Sequence, residues 1–489
     1  MVADGIQRIL KEKPYLFFLA LLVIGTILRL YNLAEESVWV DEAFTYHYVT
    51  LSWADLLNVL KNDVHPFLFY ALTKIVVFFF GFSETVLRAL PFLFGSLSIP
   101  LLFLLTKKLY DFRTALLSTF FFTLSYTFIL YSQEAKMYAQ LVFFILASVY
   151  TFILFLEEPK TKQLVWYAIS TALMLHTHIL SFIILFLEIL TYFTTFYLFK
   201  KQKIFLLERL FNLNIIYDFK QFISAFLVIL LFYLPWFPYF YFQFKRLFLD
   251  MLPLKFAEKF GFNGFYPLAI LFLVIGILAI YWIFWILSDH KRTLKVQHFL
   301  KKIHKSSALL IILFISWLII NFIFRKHFFG TLFYIRYTLF LYPFVYIYLA
   351  RRLLNFRAVW FYALMFLYLI STSFILYDYY QVDGKEQWRE AAQFIEQEAK
   401  VNDILIFHTG GHTWWSFSYY YHGNQTQLRL NKESEFEKIP PALVGKQHAF
   451  LILSHNYQTK DFFPKQMEQH YSSEQTYPLI GIIIYKYKI

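Results

Sequence analysis

The chain of 489 residues contains no cysteine. Disulfide bonds, thiolate catalysis and thiolate metal sites are therefore excluded, although the compartment of the loops stays undecided. The chain also lacks internal repeats and low-complexity tracts, and no Ala-x-Ala cleavage site follows its first apolar run. That run is expected to be a retained membrane anchor, and stability is expected to come from helix packing in lipid.

Apolar residues dominate the composition. Hydrophobic residues make up 59% of the chain and aromatic residues 23%, with a mean hydropathy of +0.53, which is too apolar for a soluble protein. The formal net charge of +13 would suggest a nucleic-acid partner in a soluble protein, but membrane topology explains it here. The composition predicts a polytopic α-helical membrane protein, with membrane lipids as partners and no nucleic acid.

About eleven segments are apolar and long enough, or nearly so, to cross a membrane. They lie at residues 14–31, 88–106, 114–131, 139–156, 164–178, 179–199, 221–240, 264–287, 307–324, 337–350 and 358–378. Every second loop is basic, as expected of cytoplasmic loops. The basic loops fall at residues 8–13, 107–113, 160–162, 200–209, 291–305 and 351–357. A multi-pass protein of the cell (plasma or inner) membrane is predicted, with its N-terminus in the cytoplasm and its C-terminus outside.

This alternation holds only if residues 67–80 do not cross the membrane. The stretch is short, contains Lys74 and follows Pro66, so we expect an amphipathic or re-entrant helix at the outer interface. A set of polar residues then shares the non-cytoplasmic face. These residues are Asp41, Glu42, Asp63, His65, Arg88, Glu134, Lys136, His176, His178 and Arg336.

Asp41 and Glu42 follow the first apolar run closely, where chemistry at a membrane surface would take place. A carboxylate there can deprotonate an acceptor hydroxyl, and cations such as Arg336 or Lys136 can neutralise a departing phosphate. The alternative is a pair of ordinary interfacial acids beside interface aromatic residues. The cations from other outer loops favour transfer from a phosphate-linked donor.

Other polar residues of this face have structural alternatives. His65 and Pro66 can cap and begin a helix, and Arg88 can be a snorkelling anchor. Glu134 and Lys136 are two residues apart, so they suit a loop that points both into one cavity, but a structural ion pair is a serious alternative. Substrate contact and structural support therefore both stay open for these residues.

Two further groups indicate ligands only weakly. His176 and His178 look like a fragment of a metal site but lack a firm third ligand, so the sequence leaves open whether a divalent metal takes part. Arg325, Lys326 and Arg336 bracket a short outer loop where an anion is expected, either a lipid headgroup or a donor phosphate.

The composition changes after the last apolar segment, which predicts a small α/β domain at residues 381–489 on the outer side. Residues 386–400 have helical periodicity. Their apolar side carries Trp388, Ala391, Phe394 and Ile395. The strand-like stretches are 403–408, 449–453 and 481–485.

Six motifs occur in order along the chain. They are Leu28-Arg29-Leu30-Tyr31, Trp39-Val-Asp-Glu-Ala-Phe-Thr45, Asp63-Val-His-Pro66, Leu87-Arg88-Ala-Leu-Pro91 with Phe94-Gly95, Tyr131-Ser-Gln-Glu-Ala-Lys-Met-Tyr138 and Ile335-Arg336-Tyr337. As a set they resemble the membrane glycosyltransferases of the C-type fold, in the group that contains protein O-mannosyltransferases and the lipid A aminoarabinose transferase. The resemblance covers the first 200 residues well and the rest loosely.

The resemblance implies a transmembrane glycosyltransferase domain at residues 1–380, whose first outer loop, residues 32–87, carries juxtamembrane helices. It implies that Asp41, with Glu42 beside it, is the catalytic base or organises the acceptor, and that Arg336 holds a polyprenyl phosphate. Further residues expected to bind substrate are His65, Arg88, Glu134, Lys136, Tyr138 and His178. Phe67 stands where relatives often have a second proline, and Val64-His65-Pro66 replaces the Glu-Lys-Pro of aminoarabinose enzymes, which argues against that substrate.

The predicted activity is transfer of a hexose or pentose from a polyprenyl-phosphate donor to a lipid, glycan or protein acceptor on the non-cytoplasmic face, as in cell-envelope glycosylation. One base without a separate nucleophile predicts a single displacement with inversion. The sequence identifies neither the sugar nor the acceptor, nor the oligomeric state or the role of the C-terminal domain.

Two rival functions have distinct requirements. A transporter or flippase of lipid-linked sugars would need ionisable residues near the bilayer midplane and repeated, broken helices, whereas the charges of this chain are read at span ends. An inactive scaffold could bind glycans through the aromatic cluster at residues 414–421, although packing of this cluster against the membrane-facing surface is at least as strong an alternative.

Overall fold

The computed structural model describes residues 14–63, 65–202, 216, 218–246, 336, 338–382, 384–409, 413–454 and 461–489. Several sequence predictions fall outside these residues. They are the spans at 264–287 and 307–324, the basic residues at 8–13, 203–209 and 291–305, and the pair Arg325 and Lys326.

Helices form the membrane part and its first outer loop. In chain order they are α1 (Pro14–Leu30), α2 (Val40–Thr50), α3 (Trp53–Leu60), α4 (Leu68–Phe80), α5 (Glu84–Leu109), α6 (Phe112–Leu124), α7 (Tyr126–Ser132), α8 (Tyr138–Glu157), α9 (Thr161–Leu175), α10 (Ser181–Gln202), α11 (Phe219–Tyr233), α12 (Phe237–Phe244), α13 (Tyr342–Leu353) and α14 (Ala358–Gln381). Each apolar segment predicted within the described residues is helical over most of its length.

The described helices differ in whether they can cross a membrane. By length and hydropathy, α5, α8, α14 and the stretch Phe219–Phe244 qualify, and the pair α6 and α7, bent by 61°, adds one more if it is a single span. A multi-pass membrane fold is therefore supported, while the total of about eleven crossings stays a prediction.

The bundle separates its loops into two ends. At one end Arg351 of α13 donates a hydrogen bond of 2.8 Å to Asp111, and Lys108 pairs with Glu157 at the end of α8. These basic residues come from the loops predicted to be cytoplasmic. The opposite end holds the loop at residues 32–87 and the predicted site, so these described basic residues lie away from the site. The sidedness of the loops in the membrane stays a prediction.

Helix α4 lies along the end of the bundle that holds the predicted site. At its start the Leu68 N–H donates to the His176 carbonyl at 3.2 Å, in the turn between α9 and α10, and its other end leads into the start of α5. The Lys74 ammonium donates to the carbonyls of Val49 (2.8 Å) and Leu51 (2.5 Å), at the negative C-terminal end of α2. This helix is shorter than the helices that qualify as spans, and its place at the outer membrane interface stays a prediction.

The C-terminal part is a five-stranded mixed sheet with helices. Its elements are α15 (Trp388–Glu398), β1 (Ile404–Thr409), α16 (Trp414–Tyr420), β2 (Thr426–Leu430), α17 (Ile439–Leu443), β3 (His448–Ser454), α18 (Phe462–Glu468), β4 (Ser472–Leu479) and β5 (Ile482–Lys488). The strand order is β2-β1-β3-β5-β4, with β1 parallel to β2 and β3, and β5 antiparallel to β3 and β4. The predicted helix and three strands correspond to α15, β1, β3 and β5. The sequence missed β2 and β4, the mostly exposed edge strands.

The sheet domain packs on the first outer loop through α16. The Trp415 ring stacks on His47 with centroids 4.1 Å apart and meets Phe44 edge-on at 4.8 Å. Tyr419 meets Tyr46 edge-on at 4.8 Å. These two rings of the aromatic cluster at 414–421 therefore pack on the first outer loop.

One carboxyl group lies inside the bundle. Glu188 of α10 is buried and accepts hydrogen bonds from the Ser148 hydroxyl at 2.8 Å and the Tyr167 hydroxyl at 3.0 Å. The expectation that charged residues occupy only span ends is therefore wrong at Glu188. A hydroxyl from a neighbouring helix satisfies each carboxyl oxygen, which is how a buried polar group is tolerated.

Candidate active site

The structure brings together Asp41 and Arg336, two residues 295 positions apart in sequence. Asp41 stands in the first turn of α2, and the Arg336 guanidinium donates from Nη1 to its Oδ2. Both side chains are partly accessible, with 25% exposure for Asp41 and 16% for Arg336. The proposed base and the proposed phosphate-binding cation therefore lie in direct contact at one end of the bundle.

Glu42, the next residue of α2, has a different environment. Its carboxylate is fully buried and accepts two hydrogen bonds from Arg88, at 2.8 Å and 2.7 Å, and one from the Ala135 N–H at 2.8 Å. Burial raises the pKa of the Glu42 carboxyl, but Arg88, Lys385 and the Ala135 N–H outweigh burial and lower it to about 2. Glu42 is therefore ionised and enclosed.

Arg88 of α5 is almost completely buried and engaged. Besides Glu42 it donates hydrogen bonds to three carbonyl groups, those of Leu33, Glu36 and Ser37. The sequence left open whether Arg88 contacts substrate or is a snorkelling anchor. The guanidinium points into the protein and fastens the loop before α2, and substrate contact by Arg88 stays a prediction.

Glu134 lies in the loop between α7 and α8 and is 4% exposed. Its Oε1 atom is buried and has no hydrogen-bond partner among the described residues. The pKa of the Glu134 carboxyl is raised to about 7, mainly by burial; Lys385 and Arg336 oppose this rise, whereas Asp41 and Glu42 add to it. Glu134 is thus placed to hold a proton near neutral pH. We call Asp41, Glu42, Arg88, Glu134 and Arg336 the charged cluster.

A second group forms beside the charged cluster. His65 Nδ1 lies 2.8 Å from Asp63 Oδ1, and the His65 and His178 rings meet edge-on with centroids 5.7 Å apart. Tyr138 lies 6.2 Å from the His178 ring, and Lys136 lies over Phe44 while its charge acts on Asp63. We call Asp63, His65, Lys136, Tyr138 and His178 the histidine cluster.

The chemistry of the histidine cluster follows from its hydrogen bonds. Burial raises the pKa of Asp63, but His65 and the Tyr48 hydroxyl lower it well below its usual range, so Asp63 is an anion that holds the Nδ1 side of His65. His178 Nδ1 accepts the Leu180 N–H at 3.1 Å, which leaves the Nε2 atom of the neutral ring as the donor. Each imidazole therefore keeps Nε2 for another partner.

Metal binding gains no support from the described residues. None of their His, Asp and Glu side chains form a group of three suited to hold a metal ion. His176 and His178 point to different partners, the Phe232 carbonyl for His176 and the Leu180 amide for His178. The sequence left the metal open, and so does this geometry.

Sequence reasoning missed Lys385, which lies between α14 and α15. Its ammonium lies 3.3 Å from Glu36 and 3.5 Å from Glu42, so the C-terminal domain touches the charged cluster directly. A single lysine beyond the last span carries no periodic signal, and its one cue is that it follows closely on the last apolar segment.

By sequence, residues 64–239 match the family model described as dolichyl-phosphate-mannose-protein mannosyltransferase. This region begins at the His65 motif and includes the segment with Glu134, Lys136 and His178. No curated protein matches the chain by sequence.

Solved structures resemble the whole chain. ArnT from Cupriavidus metallidurans, bound to undecaprenyl phosphate, has a TM-score of 0.54 at 12% identity, covering 96% of this chain and 97% of ArnT. The Archaeoglobus fulgidus oligosaccharyltransferase, in complex with Zn and sulfate, has a TM-score of 0.53 at 15% identity, covering 96% of this chain and 72% of the enzyme. The chain therefore has the C-type fold of membrane glycosyltransferases, and the resemblance predicted from its motifs is confirmed at the level of this superfamily.

Proposed function

We propose that the chain is a glycosyltransferase that moves a sugar from a polyprenyl-phosphate donor to an acceptor at the outer face of the cell membrane. The observation that carries the proposal is the contact between Asp41 and Arg336. Transfer from a phosphate-linked donor needs a base and a phosphate-binding cation on either side of one reacting carbon. The likeness to ArnT, which was determined with undecaprenyl phosphate, supports this class of donor.

The reaction follows from separating this ion pair. The donor phosphate takes the place of Asp41 on Arg336, because a guanidinium binds phosphate oxygens as well as carboxylate oxygens. Asp41 then accepts the proton of the acceptor hydroxyl while the hydroxyl oxygen attacks the anomeric carbon. The bond between that carbon and the phosphate oxygen breaks, its electron pair leaves with the polyprenyl phosphate, and the configuration at the carbon inverts.

Glu42 receives a different role from the one expected beside Asp41. Its carboxylate is enclosed by Arg88 and the Ala135 N–H, so it has no path to an acceptor. We assign to Glu42 and Arg88 the task of fixing the first turn of α2, and with it the direction of Asp41. The protonated form of Glu134 would serve as a donor to an oxygen of the bound substrate.

The histidine cluster supplies contacts for the sugar. Asp63 holds the Nδ1 side of His65, so its Nε2 is directed away from that carboxylate. Together with the Nε2 donor of His178 and the Tyr138 ring, this arrangement suits sugar hydroxyls and a sugar face. Lys136 belongs to this cluster, and we assign it a contact with the sugar or with the donor phosphate.

Transport of lipid-linked sugars is the second candidate, and Glu188 is the observation in its favour. A buried carboxyl inside the bundle is what a transporter would need. Both its oxygens accept hydrogen bonds from hydroxyls of α8 and α9, however, so the group is satisfied within the protein. The charged cluster at the bundle end is explained by transfer and not by transport.

The test uses proteoliposomes that contain the full chain, a panel of radiolabelled polyprenyl-phosphate hexoses and pentoses, and separate protein, lipid and glycan acceptor pools. We expect label to move from the donor to one pool. Asp41→Asn removes the base but keeps the size of the side chain, so the rate should fall about two to four orders of magnitude.

Asp55→Asn is the matched control, because Asp55 is an exposed aspartate in the first turn of α3 on the same outer loop. It should transfer sugar at the wild-type rate. Wild-type turnover by Asp41→Asn would reject the role of Asp41. Movement of intact labelled donor between leaflets without transfer would favour the transporter instead.

A further inference from the structure

The segment between α14 and the sheet domain contributes one ammonium group that contacts the first outer loop. Lys385 Nζ lies 3.3 Å from Glu36 Oε2 and 3.5 Å from Glu42 Oε2. The preceding residue adds a backbone contact, because the Gly384 N–H donates to Glu36 Oε1 at 2.9 Å. Both oxygens of Glu36 are therefore held by the start of the C-terminal domain.

This contact differs from an ordinary surface ion pair. The Lys385 side chain is 10% exposed, against 18% for Glu36 and 0% for Glu42. An ammonium withdrawn this far from water is stable only with partners, and its removal leaves buried negative charge uncompensated. Arg88 is already shared between Glu42 and three carbonyl groups, so Lys385 is the cation that balances Glu36.

We propose that Lys385 is a positioning residue which the C-terminal domain contributes to the candidate active site. The proposal rests on the proposed function. Lys385 acts through Glu36 and Glu42, which lie on either side of the turn that starts α2. Holding these two carboxylates in place sets the direction in which the Asp41 side chain projects from α2. Misplacement of a reacting group by about 1 Å can lower the rate on the order of a hundredfold.

Docking of the domain does not depend on Lys385, because other contacts already hold it. Arg389 of α15 donates to Glu84 at 2.8 Å and to the Glu35 carbonyl at 2.8 Å. The Tyr420 hydroxyl of α16 accepts the Val38 N–H at 2.7 Å. Loss of the Lys385 charge should therefore change the arrangement of the site while the domain stays attached.

The test compares Lys385→Gln with Lys385→Arg in the full chain, by sugar transfer in proteoliposomes. We expect Lys385→Gln to lower kcat about 10- to 100-fold with little change in the KM for the donor, because the lost contact positions the base and does not bind the donor. Lys385→Arg keeps the charge and should recover most of the rate.

The matched control is Lys486→Gln. Lys486 belongs to the same domain, its side chain is 15% exposed, and it pairs at 2.8 Å with Glu398, a residue outside the charged cluster. It should transfer sugar at the wild-type rate. The double variant Glu36→Gln/Lys385→Gln removes both charges and should recover part of the rate lost in Lys385→Gln, since double-variant cycles report coupling between contacting groups.

Amide hydrogen exchange gives a readout that does not need activity. Residues 36–46 should exchange faster in Lys385→Gln than in the wild type or in Lys486→Gln. A wild type that transfers no sugar would overturn the proposed function, and exchange would then decide the positioning role by itself. Unchanged exchange in Lys385→Gln, or a wild-type kcat for that variant, would overturn the proposal for Lys385.

Discussion

Two ion pairs at the start of α2 use the same chemistry in different surroundings. Glu42 and Arg88 are enclosed, with side chains 0% and 2% exposed, whereas Asp41 and Arg336 remain 25% and 16% exposed. The enclosed pair is also joined to backbone groups of the outer loop and of the loop before α8. Of these adjacent carboxylates, Glu42 thus belongs to an enclosed structural pair, whereas Asp41 belongs to a pair that a ligand can reach.

The helix itself makes this division. Successive residues of an α-helix point about 100° apart, so neighbours cannot face the same surroundings. Glu42 turns toward α5 and the loop before α8, while Asp41 turns toward Arg336. Asp41 and Glu42 therefore form one motif in the sequence, but their side chains have different surroundings and different proposed roles in the fold.

The largest expected effect comes from breaking each pair at its arginine. Arg88→Met leaves the Glu42 carboxylate buried without its main partner and should lower the free energy of unfolding by about 3–5 kcal/mol. Arg336→Met breaks a pair that water reaches and should lower it by about 1 kcal/mol or less. Denaturant titration of the purified protein in detergent measures both values.

Equal losses of unfolding free energy in the two variants would contradict this expectation, because burial would then make no difference to how much each pair stabilises the protein. Lys486→Met is a suitable control, since it removes a partly exposed cation from the sheet domain. Its effect should resemble that of Arg336→Met.

The Glu134 carboxyl, which senses the charges of both pairs, should hold a proton in the folded chain. Its pKa in the folded chain is raised from 4.5 to about 7 by burial, so the folded state binds this proton more tightly than the unfolded state does. Protonated Glu134 makes its full contribution to the free energy of unfolding below pH 4.5. This contribution falls by about 1.4 kcal/mol per pH unit between pH 4.5 and pH 7, and it is lost as the pH rises through 7.

Glu134→Gln cannot titrate at this position. Relative to that variant, the wild type should therefore lose about 3 kcal/mol of stability between pH 4.5 and pH 7, and the difference should level off at higher pH. Unfolding measured across this range, with the exposed Glu437→Gln as control, tests the expectation. A difference that does not vary with pH would show that Glu134 is not held in its protonated form.

Sequence reasoning reached the contact between Asp41 and Arg336 through topology. Counting crossings from the basic loops put both residues on one face, and the fold brings them together. The same reasoning could not predict that Glu42 is buried while Asp41 is accessible, because the sequence of two adjacent residues does not show which side of the helix is enclosed. Burial depends on Arg88 and Ala135, which arrive from other elements.

The C-terminal domain shows the same limit. Strands β1, β3 and β5 are apolar and were predicted, whereas β2 and β4 are mostly exposed edge strands whose polar residues resemble loops. Lys385 could not be found either, since its role depends on the packing of the domain against the outer loop. Hydropathy predicts which segments are buried, and it does not predict which isolated charges will meet.

The smallest expected effect is a change in the binding of polyprenyl phosphate at the accessible pair of Asp41 and Arg336. If the donor phosphate displaces Asp41 from Arg336, then Asp41 competes with the phosphate, and Asp41→Asn should bind polyprenyl phosphate about fivefold more tightly, equivalent to about 1 kcal/mol for a partly exposed pair. The same variant should have lost transfer, so binding and catalysis change in opposite directions. Arg336→Gln should weaken binding, whereas Asp55→Asn should leave it unchanged. Binding measured by fluorescence or calorimetry in detergent decides the matter: weaker binding of polyprenyl phosphate by Asp41→Asn would mean that the carboxylate helps to hold the phosphate site together instead of competing for Arg336.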